Sequence, residues 1–250
     1  MAVSPSDGVV PYRDEAVAPS ENRPAPAGGG RAVSGHEVGT ETDARLGRYL
    51  DELYLWNQRI NLTAVPRAEA EARHIGEAGR LLAAAEPARC AQVIDIGAGG
   101  GVPGLVMAIL RPDLHLTLVE ADRRRAGFLL HAAALCACPH VTVVSRRAEE
   151  VGRDPAHRGR YDLAVSRATA AAAALCELAL PLLRTGGRLL ALVSDAEADA
   201  RTATVAASAC GGGPPLAVAP GILAIAKVAV TPDAYPRRAG VPARRPLGGG

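Results

Sequence analysis

Five glycines fall within the eight residues that follow the apolar stretch Val93–Ile96, in the sequence VIDIGAGGGVPG. Glycine adopts the backbone conformations of a tight turn and lets a ligand approach bare backbone. Such a loop at the carboxyl end of a strand is a candidate binding site in an open parallel sheet. Its possible ligands are a phosphate, a dinucleotide or another cofactor, and the plain alternative is a strand–helix turn that binds nothing.

The details of the glycine pattern separate these ligands. A phosphate-binding P-loop ends in Gly-Lys-Ser/Thr, whereas this loop ends in GVPG and has no lysine. The dinucleotide fingerprint matches literally at Gly99, Gly101 and Gly104, but its first glycine should make the turn directly after the strand. Gly97 occupies that turn position instead. The pattern is therefore D-x-G-x-G-x-G starting at Asp95, which disfavours an NAD-type oxidoreductase.

Acidic residues after the next two predicted strands favour a ligand that contains adenosine. Glu120 ends the run LHLTLVE, where a carboxylate suits hydrogen bonding to ribose hydroxyls. NAD enzymes share this feature, so Glu120 does not choose the cofactor. Ala148 and Glu149 open a short helix after the third strand, beside the expected adenine position. The plainer alternatives are a solvated strand end and ordinary acids at a helix N-terminus.

Short apolar runs alternate with longer helical segments from residue 92 onward. Five runs predict buried strands: AQVIDI, LHLTLVE, HVTVVS, YDLAVS and GRLLALV. A final strand pair is predicted for PLAVAP and GILAIAKVAV. Helices are predicted near residues 103–110, 122–137, 148–152, 170–184 and 195–209, and TGG after Arg184 is a helix stop signal. This alternation predicts an α/β fold, with a mainly parallel sheet and helices on both faces.

The rest of the chain frames this predicted core. Residues 1–41 are rich in Pro, Gly and Ala and predict a disordered tail, with order beginning near Thr42 or Asp43. Residues 42–90 carry apolar residues at helical spacing and predict a small helical cap. We assign residues 91–231 to the core. Residues 232–250 are rich in Pro and Arg and predict an irregular basic tail.

Composition excludes several classes of function. The net charge of +2 means that any nucleic-acid site must be a local basic cluster. No apolar run is long enough to span a bilayer, and the N-terminus does not resemble a signal peptide, so we expect a cytoplasmic protein. The five scattered cysteines indicate reduced thiols. The spacing of Cys136 and Cys138 is poor for zinc, and we expect no metal.

Several motifs occur in order and cover roughly residues 45–247: LYLWNQRINLTAV, VIDIGAGGGVPGL, SRRAEE, YDLAVSRA and PRRAGVPARRPL. Together they resemble the RsmG (GidB) family, the bacterial guanine-N7 methyltransferases of 16S ribosomal RNA. The resemblance implies the class I methyltransferase fold, Rossmann-like, with S-adenosyl-L-methionine as the cofactor. It also implies 16S ribosomal RNA or the small ribosomal subunit as the partner, and we expect a monomer.

The resemblance implies a methyl-donor site made by Gly97, Val102, Ala148, Glu149 and Arg167. Gly99, Gly101 and Glu120 fit the same pocket by their positions after the first two strands. Arg167 follows the fourth strand, where its guanidinium could hold the donor's carboxylate or an RNA phosphate. A surface cation beside Asp162 is the alternative. Asn61 and His74 match family positions in the cap.

Guanine N7 has a free lone pair and carries no proton, so its methylation needs alignment and no general base. We therefore predict no catalytic acid or base. The candidate RNA contacts are basic clusters: Arg123, Arg124, Arg125, Arg146, Arg147, Arg237, Arg238, Arg244 and Arg245.

The sequence departs from the family pattern at three places. Glu77 stands where an aspartate is common, Val193 stands where a lysine is usual, and EADRRR follows the second strand. The alternatives are a diverged member that acts on another RNA or a small molecule, and a non-catalytic, cofactor-binding assembly factor.

Overall fold

The computed structural model describes residues 35–167 and 170–248, so most of the predicted N-terminal tail lies outside the described residues. Seven strands form one sheet in the order β3-β2-β1-β4-β5-β7-β6. The strands are Gln92–Ile96 (β1), His115–Val119 (β2), Val141–Val144 (β3), Tyr161–Arg167 (β4), Leu183–Leu192 (β5), Leu216–Ala219 (β6) and Ile222–Ala226 (β7). The first five pair in parallel, and β7 is antiparallel to both β5 and β6. The predicted α/β fold with a mainly parallel sheet is confirmed.

Helices cover both faces of this sheet. They are Gly35–Asn57 (α1), Gly76–Ala85 (α2), Gly104–Leu110 (α3), Arg123–Leu135 (α4), Ala148–Arg153 (α5), Ala172–Ala179 (α6), Ala196–Ala209 (α7) and Val241–Arg244 (α8). Because side chains alternate along a strand, β1 contributes residues to two hydrophobic clusters, one on each face of the sheet. Val93 packs with residues of α1 to α4, whereas Ile94 and Ile96 pack with residues of α5 to α7.

The order of the strands alone indicates where a ligand could bind. Crossovers from β1 lead to β2 on one side, and β4 lies on the other side of β1. Ligands in open α/β sheets bind at such a switch point, beyond the carboxyl ends of the strands. The ends of β1 and β4 are tied together there, because the Ser166 hydroxyl donates to the Ile96 carbonyl at 2.9 Å.

The first two helices and the turns between them form the cap. Arg45 of α1 is buried and donates to the carbonyls of Cys136 and Ala137, each at 2.7 Å, just beyond the C-terminus of α4. The rings of Trp56 and Phe128 lie 5.6 Å apart. The cap is therefore held against the core by hydrogen bonds and by apolar contact.

The first helix begins earlier than Thr42, where the sequence predicts order to start. Helix α1 begins at Gly35, so residues 35–41 are helical. Residues 35–41 contain no proline, and a glycine in an exposed helix costs only about 1 kcal/mol. The division into tail, cap, core and basic tail otherwise stays a prediction.

The helix predicted over residues 170–184 is also too long. Helix α6 ends at Ala179, a 3₁₀ turn covers Leu180–Leu182, and β5 begins at Leu183. Pro181 has no N–H to donate and ends the α-helix. Gly187 lies in a register irregularity of the sheet, where a Cβ would come within 3.0 Å of the Tyr161 carbonyl. The TGG sequence therefore belongs to a strand and is not a helix stop.

Candidate active site

The glycine turn begins where β1 ends. Gly97, Gly99 and Gly101 have φ values of 71°, 54° and 90°, which side chains other than glycine rarely adopt. The N–H groups of Gly97 and Ala98 both donate to the carbonyl of Val119, at 2.9 and 3.0 Å, so the turn folds against the end of β2. The prediction that Gly97 makes the first turn is confirmed.

Asp95 lies beneath this turn and is fully buried. Its Oδ2 accepts from the backbone N–H of Gly104 at 2.8 Å, whereas Oδ1 has no hydrogen-bond partner among the described residues. Burial raises the pKa of Asp95 to about 7, against the opposing effects of the Gly104 N–H and Arg167. A buried polar atom without a partner is costly. The site therefore fits a ligand that brings its own donor, such as an ammonium group.

Glu120 stands beside Asp95, just after β2, and is only 7% exposed. Its Oε2 accepts from Gly99 N–H at 2.9 Å, and its Oε1 accepts from Asp122 N–H at 2.8 Å. These bonds hold the carboxylate at the mouth of the glycine turn. Each carboxylate oxygen has two lone pairs, so Glu120 retains the capacity to accept from ribose hydroxyls.

Ala148 and Glu149 begin α5 at the same edge of the sheet. The Glu149 carboxylate is buried, and its Oε1 accepts from the backbone N–H of Gly240 at 2.7 Å. Glu149 therefore holds the C-terminal segment by a hydrogen bond beside the candidate site.

Val102, another predicted site residue, lies in the loop between β1 and α3, and its side chain is buried in the core.

Arg167 ends β4 and contacts two side chains of the cap. Its Nη1 donates to His74 Nδ1 at 3.0 Å and to Glu77 Oε2 at 3.1 Å. The alternative of a surface cation beside Asp162 is wrong, because Asp162 lies near the other end of β4 and pairs with Arg184 at 2.5 Å. Glu77, the longer acid at a family aspartate position, reaches this arginine.

His74 is buried completely and lies in a π-helical turn that spans Glu71–Ile75. Its Nε2 lies 3.1 Å from the hydroxyl of Thr63. Burial, with a further contribution from Arg167, lowers the pKa of His74 to about 4, and Glu77 acts in the opposite direction. The imidazole is therefore neutral at physiological pH.

Asn57 organises the loop that carries Thr63. Its Oδ1 accepts from the N–H groups of Leu62 and Thr63, at 2.8 and 3.0 Å, and its Nδ2 donates to the Thr63 carbonyl at 2.9 Å. Asn61 is exposed. The structure thus brings Asn57 and His74 to the site, and it does not bring Asn61.

Tyr49 is a site residue that the sequence did not single out. Its buried hydroxyl donates to the carbonyl of Gly100 at 2.7 Å, and burial raises its pKa, so the proton stays on the oxygen. A Cβ on Gly100 would come within 3.0 Å of Leu53 and of Leu62. The cap therefore packs directly on the glycine turn. Its place three residues after Leu46, on the buried face of α1, is the signal that could have identified Tyr49.

The nine arginines of the predicted basic clusters differ in their surroundings. Arg123, Arg124, Arg147, Arg238, Arg244 and Arg245 are exposed, and Arg125 is half-buried. Arg146 pairs with Asp154 at 2.6 Å, and Arg237 is held by buried Glu177 at 2.6 Å. Arg237 therefore has a structural partner, and its role as an RNA contact stays a prediction. Val193 is half-buried just after β5, beside the end of β4.

The structure shows neither a metal centre nor a membrane span in residues 35–167 and 170–248. No cluster of three or more His, Cys, Asp or Glu side chains in these ranges could hold a metal ion. No helix in the same ranges is long and apolar enough to cross a bilayer.

Comparisons with known proteins agree with this architecture. The family model described as "GidB: rRNA small subunit methyltransferase G" matches residues 42–215. Proteins named ribosomal RNA small subunit methyltransferase G are similar along most of the chain. That of Roseiflexus castenholzii is 44% identical over 80% of this chain and 89% of its own length. That of Chloroflexus aggregans is 41% identical over 82% and 90%.

Solved structures support the fold at low identity. An S-adenosylmethionine-dependent O-methyltransferase from Thermotoga maritima superposes with a TM-score of 0.51 at 12% identity, over 74% of this chain and 72% of that chain. The fold is thus that of the class I methyltransferases, as expected from the sequence. From the family model and these relatives, we conclude that the chain belongs to the GidB family of small-subunit ribosomal RNA methyltransferases.

Proposed function

We propose that this chain transfers the methyl group of S-adenosyl-L-methionine to N7 of a guanine in 16S ribosomal RNA of the small subunit. The observation that carries the proposal is a pair of buried carboxylates at the ends of adjacent strands, with the glycine turn above them. Asp95 offers a buried oxygen without a partner, and Glu120 stands at the mouth. The choice of RNA rests on family membership.

The residues present suit this methyl donor. We assign Asp95 to its ammonium group, directly or through water, and Glu120 to its ribose hydroxyls. Gly97, Gly99 and Gly101 have positive φ and no side chain, and the side chain of Val102 is buried. We therefore assign the backbone groups of these residues to contact with the donor. Ala148 and Glu149 offer the N–H groups at the start of α5, and Arg167 offers a cation at the end of β4. When bound, S-adenosylmethionine supplies a methyl group carried on a positively charged sulfur.

The residues around the site suit a reaction that moves no proton. The guanine N7 lone pair attacks without prior deprotonation, so alignment supplies the catalysis. Asp95 and Glu120 are held by backbone N–H groups, and His74 is held between Thr63 and Arg167. We therefore assign no side chain as a general acid or base.

An RNA surface is offered by arginines at the rim of the same sheet edge. Arg123 begins α4 after β2, and Arg147 precedes α5 after β3; both side chains are exposed. Neither forms an ion pair with another described residue. Guanidinium groups in this position suit bidentate contacts to RNA phosphates. In a bacterium the small subunit is assembled in the cytoplasm, where we expect this protein to act as a monomer.

A second candidate function is the same transfer to a different RNA. Val193 favours it, because an apolar side chain stands beside the end of β4 where the family pattern has a lysine. A lost phosphate contact at this place would change which RNA is held, and it would not change how the methyl donor is bound.

The test is a transfer assay with S-adenosylmethionine labelled in its methyl group. The full chain is incubated with naked 16S ribosomal RNA, with assembled small subunits, and with unrelated RNA. We expect label in one of the first two substrates. Label only in other RNA would favour the second candidate. Donor binding without any transfer would favour an assembly factor, and binding of NADH in place of the donor would overturn the proposal.

A further inference from the structure

We propose that His74 is a positioning residue for methyl transfer: its imidazole holds the guanidinium of Arg167 at the end of β4 and ties it to the Asn57–Thr63 segment of the cap. This inference rests on the proposed function, because Arg167 belongs to the site that would bind the methyl donor or an RNA phosphate. It adds a link between the cap and that site.

The hydrogen-bond geometry determines the state of the ring. An arginine only donates, so the Nδ1 that lies 3.0 Å from Arg167 Nη1 must be the acceptor. Nδ1 therefore carries no proton, and the neutral ring carries its proton on Nε2. That nitrogen lies 3.1 Å from the Thr63 hydroxyl oxygen, which accepts from it and also from the Val65 N–H at 3.1 Å. Both ring nitrogens are thus used, each by a different segment of the chain.

The placement of His74 distinguishes it from a histidine that only fills the core. Its side chain is completely buried, yet it lies in a π-helical turn between the 3₁₀ turn Arg67–Glu69 and α2. Such turns are rare and frequently occur at functional sites. The partner of its Nδ1 is an arginine close enough to Asp95 to lower the pKa of that buried carboxyl. The ring therefore acts on a cation at the end of β4, next to the strand that carries Asp95.

The charged groups near the His74 ring are connected to one another through Glu77. Glu77 of α2 accepts from the same Nη1 as His74, at 3.1 Å, so the guanidinium is held by two acceptors from the cap. Arg73 lies 3.4 Å from Glu77 Oε1 and restrains that carboxylate. Arg167, Glu77 and Arg73 are the charged groups that act on His74. Protonation of the ring would place a second cation against Arg167 and remove the acceptor.

A double-mutant cycle tests whether His74 acts through Arg167. We expect His74→Leu to lower kcat/KM about 100-fold, because small displacements of a positioned group have effects of this size. In an Arg167→Ala background the same substitution should change kcat/KM by about twofold or less, the range of independent effects. His74→Asn, whose carbonyl oxygen takes the place of Nδ1, should restore most of the activity. Equal effects in both backgrounds would overturn the proposal.

A matched control comes from another histidine that joins the cap to the core. His131 Nε2 lies 2.7 Å from Glu52 of α1, and its side chain is 43% exposed. His131→Leu should leave kcat/KM within about twofold of the parent. A loss as large as that of His74→Leu would show that any loosening of the cap suffices, which would contradict a specific role of His74.

A measurement on the unmutated protein does not depend on folding of the variants or on activity. Nitrogen-15 NMR of the histidine rings, with His74 identified by the signal that His74→Asn removes, reports the tautomer. We expect a neutral ring protonated on Nε2 between pH 8 and pH 6. A cationic ring, or a proton on Nδ1, would overturn the inference even if methyl transfer is confirmed. If the protein transfers no methyl group, the proposed function fails while this geometry can still be verified.

Discussion

The buried carboxylate of Glu177, on α6, is gripped by Arg237 of the C-terminal segment, 60 residues further along the chain. Nη2 lies 2.6 Å from Oε2 and Nε lies 2.9 Å from Oε1, and the backbone N–H of Arg237 donates to the same Oε1 at 2.6 Å. Gly240 is fastened to Glu149 in the same segment. The segment is therefore tied by hydrogen bonds to α6 and to α5, the helix that begins at the candidate donor site.

Removal of the Arg237 side chain should destabilise the fold strongly. Arg237→Ala leaves Glu177 buried without its cation, and loss of one partner of a buried pair costs about 3–5 kcal/mol of the free energy of unfolding. Arg238→Ala is the matched control, because its side chain is exposed and such changes stay within about 0.5 kcal/mol. Urea denaturation measures both. Similar values for the two variants would contradict the assigned role of Glu177.

A methyl group at Gly104 should disrupt the contact between Asp95 and the end of the glycine loop. A Cβ there would come within 2.5 Å of Leu118 and 2.7 Å of Asp95 Oδ2. We expect Gly104→Ala to cost about 1–3 kcal/mol of stability, as overpacking does, and to weaken donor binding. In Gly127→Ala the added Cβ meets no atom within 4 Å, so this helix variant should bind the donor normally. Calorimetry compares the two; unchanged donor affinity in Gly104→Ala would be inconsistent with this geometry.

Donor affinity should depend on pH through Asp95. Burial raises the pKa of Asp95 to about 7, so the carboxyl is protonated in the free protein below that pH. An ammonium ligand favours the ionised form, and affinity should therefore rise with pH, by up to about tenfold per unit below pH 7, and then level off. The rate at saturating donor should stay flat across this range. Asp95→Asn, which can still accept from Gly104, should abolish the pH dependence of binding; a dependence that persists would exclude Asp95 as its source.

The raised pKa of Asp95 should also make the protein less stable as the pH rises, whereas donor affinity should increase. Because the folded pKa of Asp95 lies above its unfolded value of 3.8, the contribution is present below pH 3.8 and is lost as the pH rises through about 7. Relative to Asp95→Asn, the unmutated chain should lose free energy of unfolding between pH 4 and pH 7. Chemical denaturation of both proteins at several pH values measures this difference, and a constant difference would contradict the assigned burial.

Loss of the Tyr49 hydroxyl should weaken the glycine turn through the cap. Tyr49→Phe leaves the Gly100 carbonyl without its donor in a buried place, which costs about 1–3 kcal/mol. Tyr54→Phe removes a hydroxyl that donates to the Val65 carbonyl at 2.6 Å, inside the cap. Both variants should lose stability in thermal unfolding, but only Tyr49→Phe should bind the donor more weakly. Equal donor affinities would argue against contact between the cap and the turn.

RNA affinity should depend on the exposed rim arginines and on salt. Arg147→Ala removes a candidate phosphate contact, so it should weaken RNA binding and reduce the slope of log affinity against log salt by about 1. Arg146→Ala is the matched control, because Arg146 is already paired with Asp154. Binding titrations at several salt concentrations compare them. A larger effect of Arg146 than of Arg147 would place the RNA elsewhere.

Local patterns in the sequence predict the core of the site well. Strand β1 has the predicted end at Ile96, and Gly97 makes the turn, because both depend on short-range apolar patterning and on the need for positive φ. Glu120 lies at the predicted edge for the same reason. The α/β sheet follows from the alternation of such segments.

Contacts between distant segments could not be predicted in this way. Nothing near Arg237 in the sequence indicates that Glu177 will be buried opposite it, and the basic composition of the segment suggests an RNA contact. Asn57 was missed in favour of Asn61 because the turn that follows α1 decides which amide faces the backbone. The spacing of Tyr49 on α1 indicates only that it is buried, and its partner, the Gly100 carbonyl, cannot be identified from the sequence.

The central claim is that this chain methylates guanine N7 in 16S ribosomal RNA. The most direct test isolates the RNA after reaction with the full chain and labelled S-adenosylmethionine, digests it, and identifies the labelled nucleoside by mass spectrometry. We predict a single labelled species, 7-methylguanosine, located at one position of 16S ribosomal RNA. Label on another base or another guanine atom, or donor binding with no label in this RNA, would contradict the account.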